Sequence, residues 1–218
     1  MGSATAPAGK VFCRATTLAV AMNTVVAITG ASGIVYGIRL LENLPGNKTV
    51  IVSDDAAMIA KAELGIEKED VYDLAESHFE NSEMYAPIAS GSVKFDSMAI
   101  VPCSTSTMSK ISCGIADNLI TRVASVALKE RRRLVLLIRE TPLSAIHLEN
   151  MRRLSVAGAT VMPACPAFYP SPRSVDDIVN FVVGRVMDEL GLDNDLYRRW
   201  SGGKKGVTGS RGSRRTRR

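Results

Sequence analysis

Apolar residues recur along this chain in two rhythms, and the alternation between them gives its first outline. Short, mostly apolar runs lie at 24–28, 49–52, 98–101, 134–138 and 159–162, each stopping at a turn or a polar patch. Runs of that length between such breaks predict strands buried on both faces. Between them, 3.6-residue periodicity predicts helices at 34–44, stopped by Pro45 and Gly46, and at 56–64. Helical pattern resumes over about 106–131 and over 144–157, where Gly158 is the expected C-cap. The last helix is the clearest. Val175, Ile178, Val179, Val182, Val183, Val186, Met187 and Leu190 fall on one face, with Ser174 as N-cap, Asp177 three residues on, and Gly191 past the end. Arg185 lies at the edge of that stripe, where a guanidinium either stays solvated or reaches into a site. Residues 65–97 show no clear period, and Pro87 and the Ser90-Gly91-Ser92 run mark a loop there.

Strand and helix patterns that alternate in this way predict an α/β fold, with a central parallel sheet between two helical layers. Ligands of such sheets bind in the crevice outside the carboxyl ends of the strands. The residues that follow each strand are therefore the candidate chemistry. Gly30-Ala-Ser-Gly33 follows the first strand and opens a helix, so its amides can hold a phosphate; a plain tight turn explains it equally. It is not a G-x-G-x-x-G fingerprint, although Asp54 stands about where an acid for an NAD ribose would, which leaves a dehydrogenase open on spacing. Ser53 ends the second strand. Ser104-Thr-Ser-Thr107 puts four hydroxyl residues after the third, suited to a phosphate or a ring edge, or simply to helix capping. Arg139 and Glu140 end the fourth strand as a couple able to pair, with Arg suited to bidentate phosphate contact. Lys129-Glu-Arg-Arg-Arg133 reads most simply as a solvated helix end. Cys103 has no histidine near it in sequence and is expected to be a packed thiol.

Composition changes this outline little. The length of 218 residues fits one domain, and 46% hydrophobic with 22% charged residues is ordinary for a globular protein. The formal net charge of +5 suggests nucleic acid until it is located. Residues 201–218 hold seven basic residues and no acid, so residues 1–200 carry −2. This Gly/Ser/Arg tail is expected to be disordered and to bind no specific nucleic acid. Residues 1–21 are acid-free, with Lys10 and Arg14; they are expected to be an unstructured extension or a misplaced start ahead of Met22, with a weak transit segment as the alternative. The domain proper is expected over 22–200. No apolar run approaches the roughly 20 residues of a membrane span. Cys13, Cys103, Cys113 and Cys165 form no CxxC pair, so no zinc site is read, and reduced thiols in a cytoplasmic protein are expected.

Several stretches in this order resemble the UbiX-like flavin prenyltransferases of the homo-oligomeric flavin-containing Cys decarboxylase superfamily. They are Thr29-Gly-Ala-Ser-Gly-Ile-Val-Tyr-Gly-Ile-Arg-Leu-Leu41, Cys103-Ser-Thr-Ser-Thr-Met-Ser109, Asn118-Leu-Ile-Thr-Arg-Val-Ala124 and Ala127-Leu-Lys-Glu-Arg-Arg132. Arg139-Glu-Thr-Pro-Leu143, His147-Leu-Glu-Asn-Met151 and Pro163-Ala-Cys-Pro-Ala-Phe-Tyr169 continue the series. The resemblance implies a flavodoxin-like, Rossmann-like three-layer sandwich and a dodecamer with FMN at subunit interfaces. It implies metal-independent transfer of a dimethylallyl group from dimethylallyl (mono)phosphate to N5 and C6 of reduced FMN, giving prenylated FMN for a partner UbiD-like decarboxylase. It assigns FMN to Gly30, Ala31, Ser32, Ser53, Ser104, Thr105, Ser106, Thr107 and Arg139. It assigns the dimethylallyl phosphate to Tyr169 and Arg185, with Lys129 and Glu140 near that phosphate, and so moves Arg185 from solvation toward function. Glu63 matches a carboxylate beside the flavin and, with Ser32, is a candidate for proton movement; Arg122 and Trp200 also match site positions.

Besides an RNA-binding module built on the basic tail, two alternatives remain from the sequence. Phosphopantothenoylcysteine and peptidyl-cysteine decarboxylases of the same superfamily carry a Pro-x-Met-Asn-x-x-Met-Trp motif and a catalytic histidine near the N-terminus. Here residues 163–170 depart from that motif and the histidines are His78 and His147. A subunit that only stores or delivers FMN is the second; it gives no reason for a second phosphate site at Lys129, Tyr169 and Arg185.

Overall fold

The structure is a computed structural model that describes residues 22–202. The extension expected at 1–21 and nearly all of the basic tail lie outside the described residues. Among the described residues six strands form one all-parallel sheet: β1 (Asn23–Ile28), β2 (Asn47–Val52), β3 (Ser77–Glu80), β4 (Ser97–Cys103), β5 (Arg133–Ile138) and β6 (Thr160–Pro163). Their order is β3-β2-β1-β4-β5-β6, so the chain reverses direction across the sheet between β1 and β4. That reversal is the topological switch point of a doubly wound fold, where ligand crevices open.

Among the described residues seven α-helices cover the two faces: α1 (Ile34–Asn43), α2 (Asp54–Leu64), α3 (Lys68–Tyr72), α4 (Thr105–Ser112), α5 (Leu119–Lys129), α6 (Ala145–Val156) and α7 (Val175–Leu190). Side chains alternate between faces along a strand. Val25, Ala27, Met98 and Ile100 therefore join Met108, Ile120, Val123 and Leu154 in one core under α4, α5 and α6. Val26, Ile28, Ala99 and Val101 join Leu40, Leu41, Val183 and Val186 in the other, under α1 and α7. Both faces being buried explains why the strands read as unbroken apolar runs. Gly37 is needed where α1 crosses β4, because a side chain there would meet the Val101 carbonyl. Among the described residues no helix is long and apolar enough to cross a membrane.

The α/β expectation and the parallel sheet hold, with differences in detail, among them the short helix α3 in a stretch that showed no period. The sheet has a sixth strand, β3, in the stretch that showed no period; its sequence Ser-His-Phe-Glu is short and half-exposed at an edge. The helical pattern over 106–131 is two helices, broken at Gly114, which takes a left-handed φ of 72°, and restarted by the Asn118 cap. Val175, counted on the apolar face of α7, is 76% exposed because it sits at the first position, beyond the core. The basic run after α5 is only partly a solvated end. Arg132 donates to the carbonyls of Val93 and Gly91 and stacks over Phe95, and Arg133 donates to the carbonyl of Leu190 at 2.6 Å.

Candidate functional site

The crevice at the switch point is built from the turns after β1 and β4. Thr29, fully buried, ties them together: its Oγ1 donates to the Pro102 carbonyl at 3.0 Å and accepts the Ser104 N–H at 2.8 Å. Beyond Thr29 the chain turns through Gly30 to Gly33, whose φ of 98° places it in the left-handed region. Gly30 lets α2 come close, since a Cβ there would lie 2.5 Å from that of Asp55.

The opening of α1 is already committed to an anion. Glu63 accepts the Gly33 N–H at 2.9 Å and the Ile34 N–H at 3.2 Å. Partial burial pushes the Glu63 carboxyl up, but the Ser32 hydroxyl, those two amides and Arg139 outweigh it and hold the group below its ordinary value. The glycine turn singled out in the sequence thus carries an internal carboxylate on two of its amides. Arg139 closes the same corner, donating from Nε to the Ser32 carbonyl at 2.8 Å. It does not pair with Glu140, whose Oε1 instead accepts the Thr141 N–H. Tyr36 packs its ring against Gly33 beside Arg139; burial raises its hydroxyl pKa, against the lowering effect of Arg139.

Open donors lie on either side. Ser104 caps α4, its Oγ accepting the Thr107 N–H at 3.2 Å and donating to Thr107 Oγ1 at 3.0 Å. The first intrahelical bond of α4 is made by Met108 to Ser104. The amides and hydroxyls of Thr105 and Ser106 are therefore uncommitted among the described residues, at the positive end of a helix. Ser53 caps α2 in the same way, accepting the Ala56 N–H at 3.2 Å. Cys103, just behind, is fully buried, and burial pushes its thiol pKa up. Hydroxyls, helix-start amides and one guanidinium around a crevice fit a phosphate ester attached to a polar flat ring.

The remaining expected residues do not join this set within one chain. Tyr169 follows β6, in a segment that starts beside the end of β5 through the Ala164 N–H to Ile138 carbonyl bond of 2.9 Å. Its ring meets Phe181 of α7 and Trp200 edge-on, with centroids 5.9 and 5.4 Å away. Arg185 lies one turn beyond Phe181 and pairs with Asp188 and Glu189 on its own helix. Tyr169, Trp200 and Arg185 thus belong to one patch on the outer side of α7. Lys129 is farther off. Helix α5 starts at the carboxyl end of β3, where Leu119 and Ile120 donate to Asn81, and finishes just before the first residue of β5. Lys129, paired with Glu130, therefore stands at the amino edge of the sheet, opposite the crevice. Arg122, two turns earlier on α5, donates to the Ala89 carbonyl at 3.0 Å.

A doubly wound sheet with open helix-start donors at its switch point is an architecture that suits a nucleotide-binding protein. The Flavoprotein family profile matches residues 14–187. The flavin prenyltransferase UbiX of Methanocaldococcus jannaschii is 52% identical over 181 residues, covering 82% of this chain and 98% of that protein. Its counterpart in Thermoplasma acidophilum is 52% identical over 180 residues, covering 82% and 100%. Among solved structures, AnUbiX in complex with FMN and dimethylallyl pyrophosphate superposes with a TM-score of 0.82 at 42% identity, over 84% of this chain and 100% of that one. A dodecameric FMN-dependent UbiX-like decarboxylase from Escherichia coli O157:H7 gives 0.80 at 42% identity, over 83% and 100%. The chain belongs to the UbiX-like flavin prenyltransferases of the Flavoprotein family.

Sequence reasoning did not single out Thr29, Tyr36 or Asp188. Thr29 ends an apolar strand and its bond partner lies 75 residues away. Asp188 sits in an ordinary amphipathic helix, and nothing local marks it as a hub.

Proposed function

We propose that this prenyltransferase joins a dimethylallyl group from dimethylallyl phosphate to N5 and C6 of reduced FMN, and that the prenylated FMN serves a UbiD-like decarboxylase. The observation that carries the reading is the presence of two separate anion-ready sets. One is the crevice with the free Thr105 and Ser106 donors and Arg139. The other is a guanidinium in an aromatic patch: Arg185 commits two N–H groups to Asp188 and Glu189, leaving three of its five. A protein that only stored FMN needs the first set alone. The relative solved with FMN and dimethylallyl pyrophosphate supports a pair of ligands.

Reduced FMN, when bound, supplies the electron-rich ring that takes up the allyl group. The residues of the chain do the rest. Gly30, Ala31, Ser32, Ser53, Ser104, Thr105, Ser106, Thr107 and Arg139 orient the flavin, which gains rate through positioning. Arg185, Lys129 and Tyr169 stabilise the departing phosphate, with Glu140 beside it. An allylic cation is captured quickly by water, so the aromatic patch of Tyr169, Phe181 and Trp200 has to keep that side dry. Ser32 and Glu63, which stand together at the opening of α1, hold and move a proton.

Lys129 and the α7 patch lie away from the crevice of their own chain, so the complete site takes residues from neighbouring copies. The dodecameric relative supports such an assembly. Substituting Arg185→Ala or Tyr169→Phe should lower turnover by about a hundredfold for the arginine and less for the tyrosine, while FMN retention on the isolated protein changes little. Loss of FMN in step with turnover in both variants would show that the α7 patch belongs to the flavin and not to a prenyl phosphate.

A further inference from the structure

Helix α7 is followed by a segment that turns back along it. The turn is made at Gly191, and residues 192–200 lie over the outer face of the helix. Gly184 creates the room: a Cβ there would stand 2.5 Å from Tyr197 Cδ1 and 2.8 Å from Asn194 Oδ1. One carboxylate gathers what this arrangement brings together. Asp188 Oδ2 accepts from Tyr197 Oη at 2.6 Å, from Arg185 Nη1 at 3.0 Å and from Arg199 Nη1 at 3.1 Å. Its Oδ1 accepts from Arg199 Nη2 at 2.7 Å and from Asn194 Nδ2 at 2.9 Å. The side chain is only 14% exposed. Burial pushes the Asp188 carboxyl up, yet Arg199, Tyr197 and Asn194 together hold it below its ordinary value.

Both ends of this hub lead to the α7 patch. On one side Asp188 and Glu189 fix two N–H groups of Arg185 and so set the direction of the rest. On the other, the returning segment carries Arg198, which donates to the Tyr169 carbonyl at 2.9 Å, and Trp200, whose ring meets that of Tyr169. We infer that Asp188 is a positioning residue for prenyl transfer: it orients Arg185 directly and, by anchoring the 192–200 segment, seats Trp200 and Tyr169 beside it. The inference rests on Arg185 and Tyr169 being the ligands of the prenyl phosphate. It goes further in assigning their arrangement to a residue that touches neither ligand. A carboxylate so close to Arg185 offsets part of its charge, so the gain is in orientation and not in attraction. Preorganised donors cost no rearrangement at the moment of reaction.

The test uses the full chain with reduced FMN and dimethylallyl phosphate. Asp188→Asn keeps the shape of the side chain and removes its charge. The KM for dimethylallyl phosphate should rise about tenfold, the loss of one charge-assisted hydrogen bond, with FMN content unchanged. Trp200 is the chain's one tryptophan, so its fluorescence reports the segment, and acrylamide should quench it more strongly in the variant. Tyr197→Phe, which keeps the ring in place, should move both readouts the same way by about two- to threefold; it decides the matter if Asp188→Asn fails to fold. Unchanged KM with unchanged quenching overturns the proposal. So does a fall in kcat and FMN content with KM untouched, which is the mark of a general structural role. If the unsubstituted protein forms no prenylated flavin, the transferase reading falls, and the quenching comparison still decides whether Asp188 anchors the segment.

Discussion

Glu63 shows how much one residue can change the meaning of a motif. A strand, a glycine turn and a helix start ordinarily mark a phosphate site. Here two of the helix-start amides hold the chain's own carboxylate, and Ser32 and Arg139 hold it from the sides. The folded pKa lies below the ordinary 4.5, so the stability this contact contributes is present above that value and is lost as the pH falls through the lower, folded one. Glu63→Gln should therefore unfold at lower urea than the parent protein at neutral pH. The gap should close as the pH drops below 4.5. A gap that stayed constant into acid would mean that the charge on Glu63 contributes nothing. At this scale the sequence was legible where residues cluster, as in the hydroxyl run at Ser104–Thr107. It was silent where the partner is remote: Thr29 with Ser104, Glu63 with Gly33, and Asp188 with Arg199 are tertiary pairs that no local pattern announces.

At the level of elements, legibility followed burial. Strands β1, β4 and β5 are covered on both faces, so their apolar runs stood out. Helix α7 could be placed to the residue because its Ser174 and Asp177 form a capping box and Gly191 ends it in the left-handed region. Strand β3 escaped because an edge strand held by its backbone bonds to β2 needs no apolar period. The split between α4 and α5 escaped because both helices keep one periodicity across the break. The close approach of α1 to β4 at Gly37 has a testable cost. Gly37→Ala would drive a methyl group toward the Val101 carbonyl, which is backbone and cannot move aside. It should destabilise the domain by about 1–3 kcal/mol in urea unfolding. An exposed substitution such as Met58→Ala should stay within about 0.5 kcal/mol.

The whole molecule sets the limit of what one chain can do. Helices that return along a parallel sheet carry their last residues to its amino edge, which is where α5 leaves Lys129. The strand-end donors lie at the opposite edge, and the α7 patch faces outward. A site built across copies predicts complementation. Chains carrying Lys129→Ala and chains carrying Arg185→Ala, each nearly inactive alone, should regain activity when co-assembled, up to roughly a quarter of the sites if mixing is random. No recovery would place both residues on one chain's contribution to the site. The most direct measurement is the mass of the flavin product. The protein is incubated without oxygen with reduced FMN and dimethylallyl phosphate, and the flavin is then released and weighed. A species heavier than FMN by one C5 unit, formed about a hundredfold more slowly when Arg185→Ala replaces the parent chain, is the expected result. Tight FMN binding with only unmodified FMN recovered would contradict prenyl transfer and leave a flavin carrier.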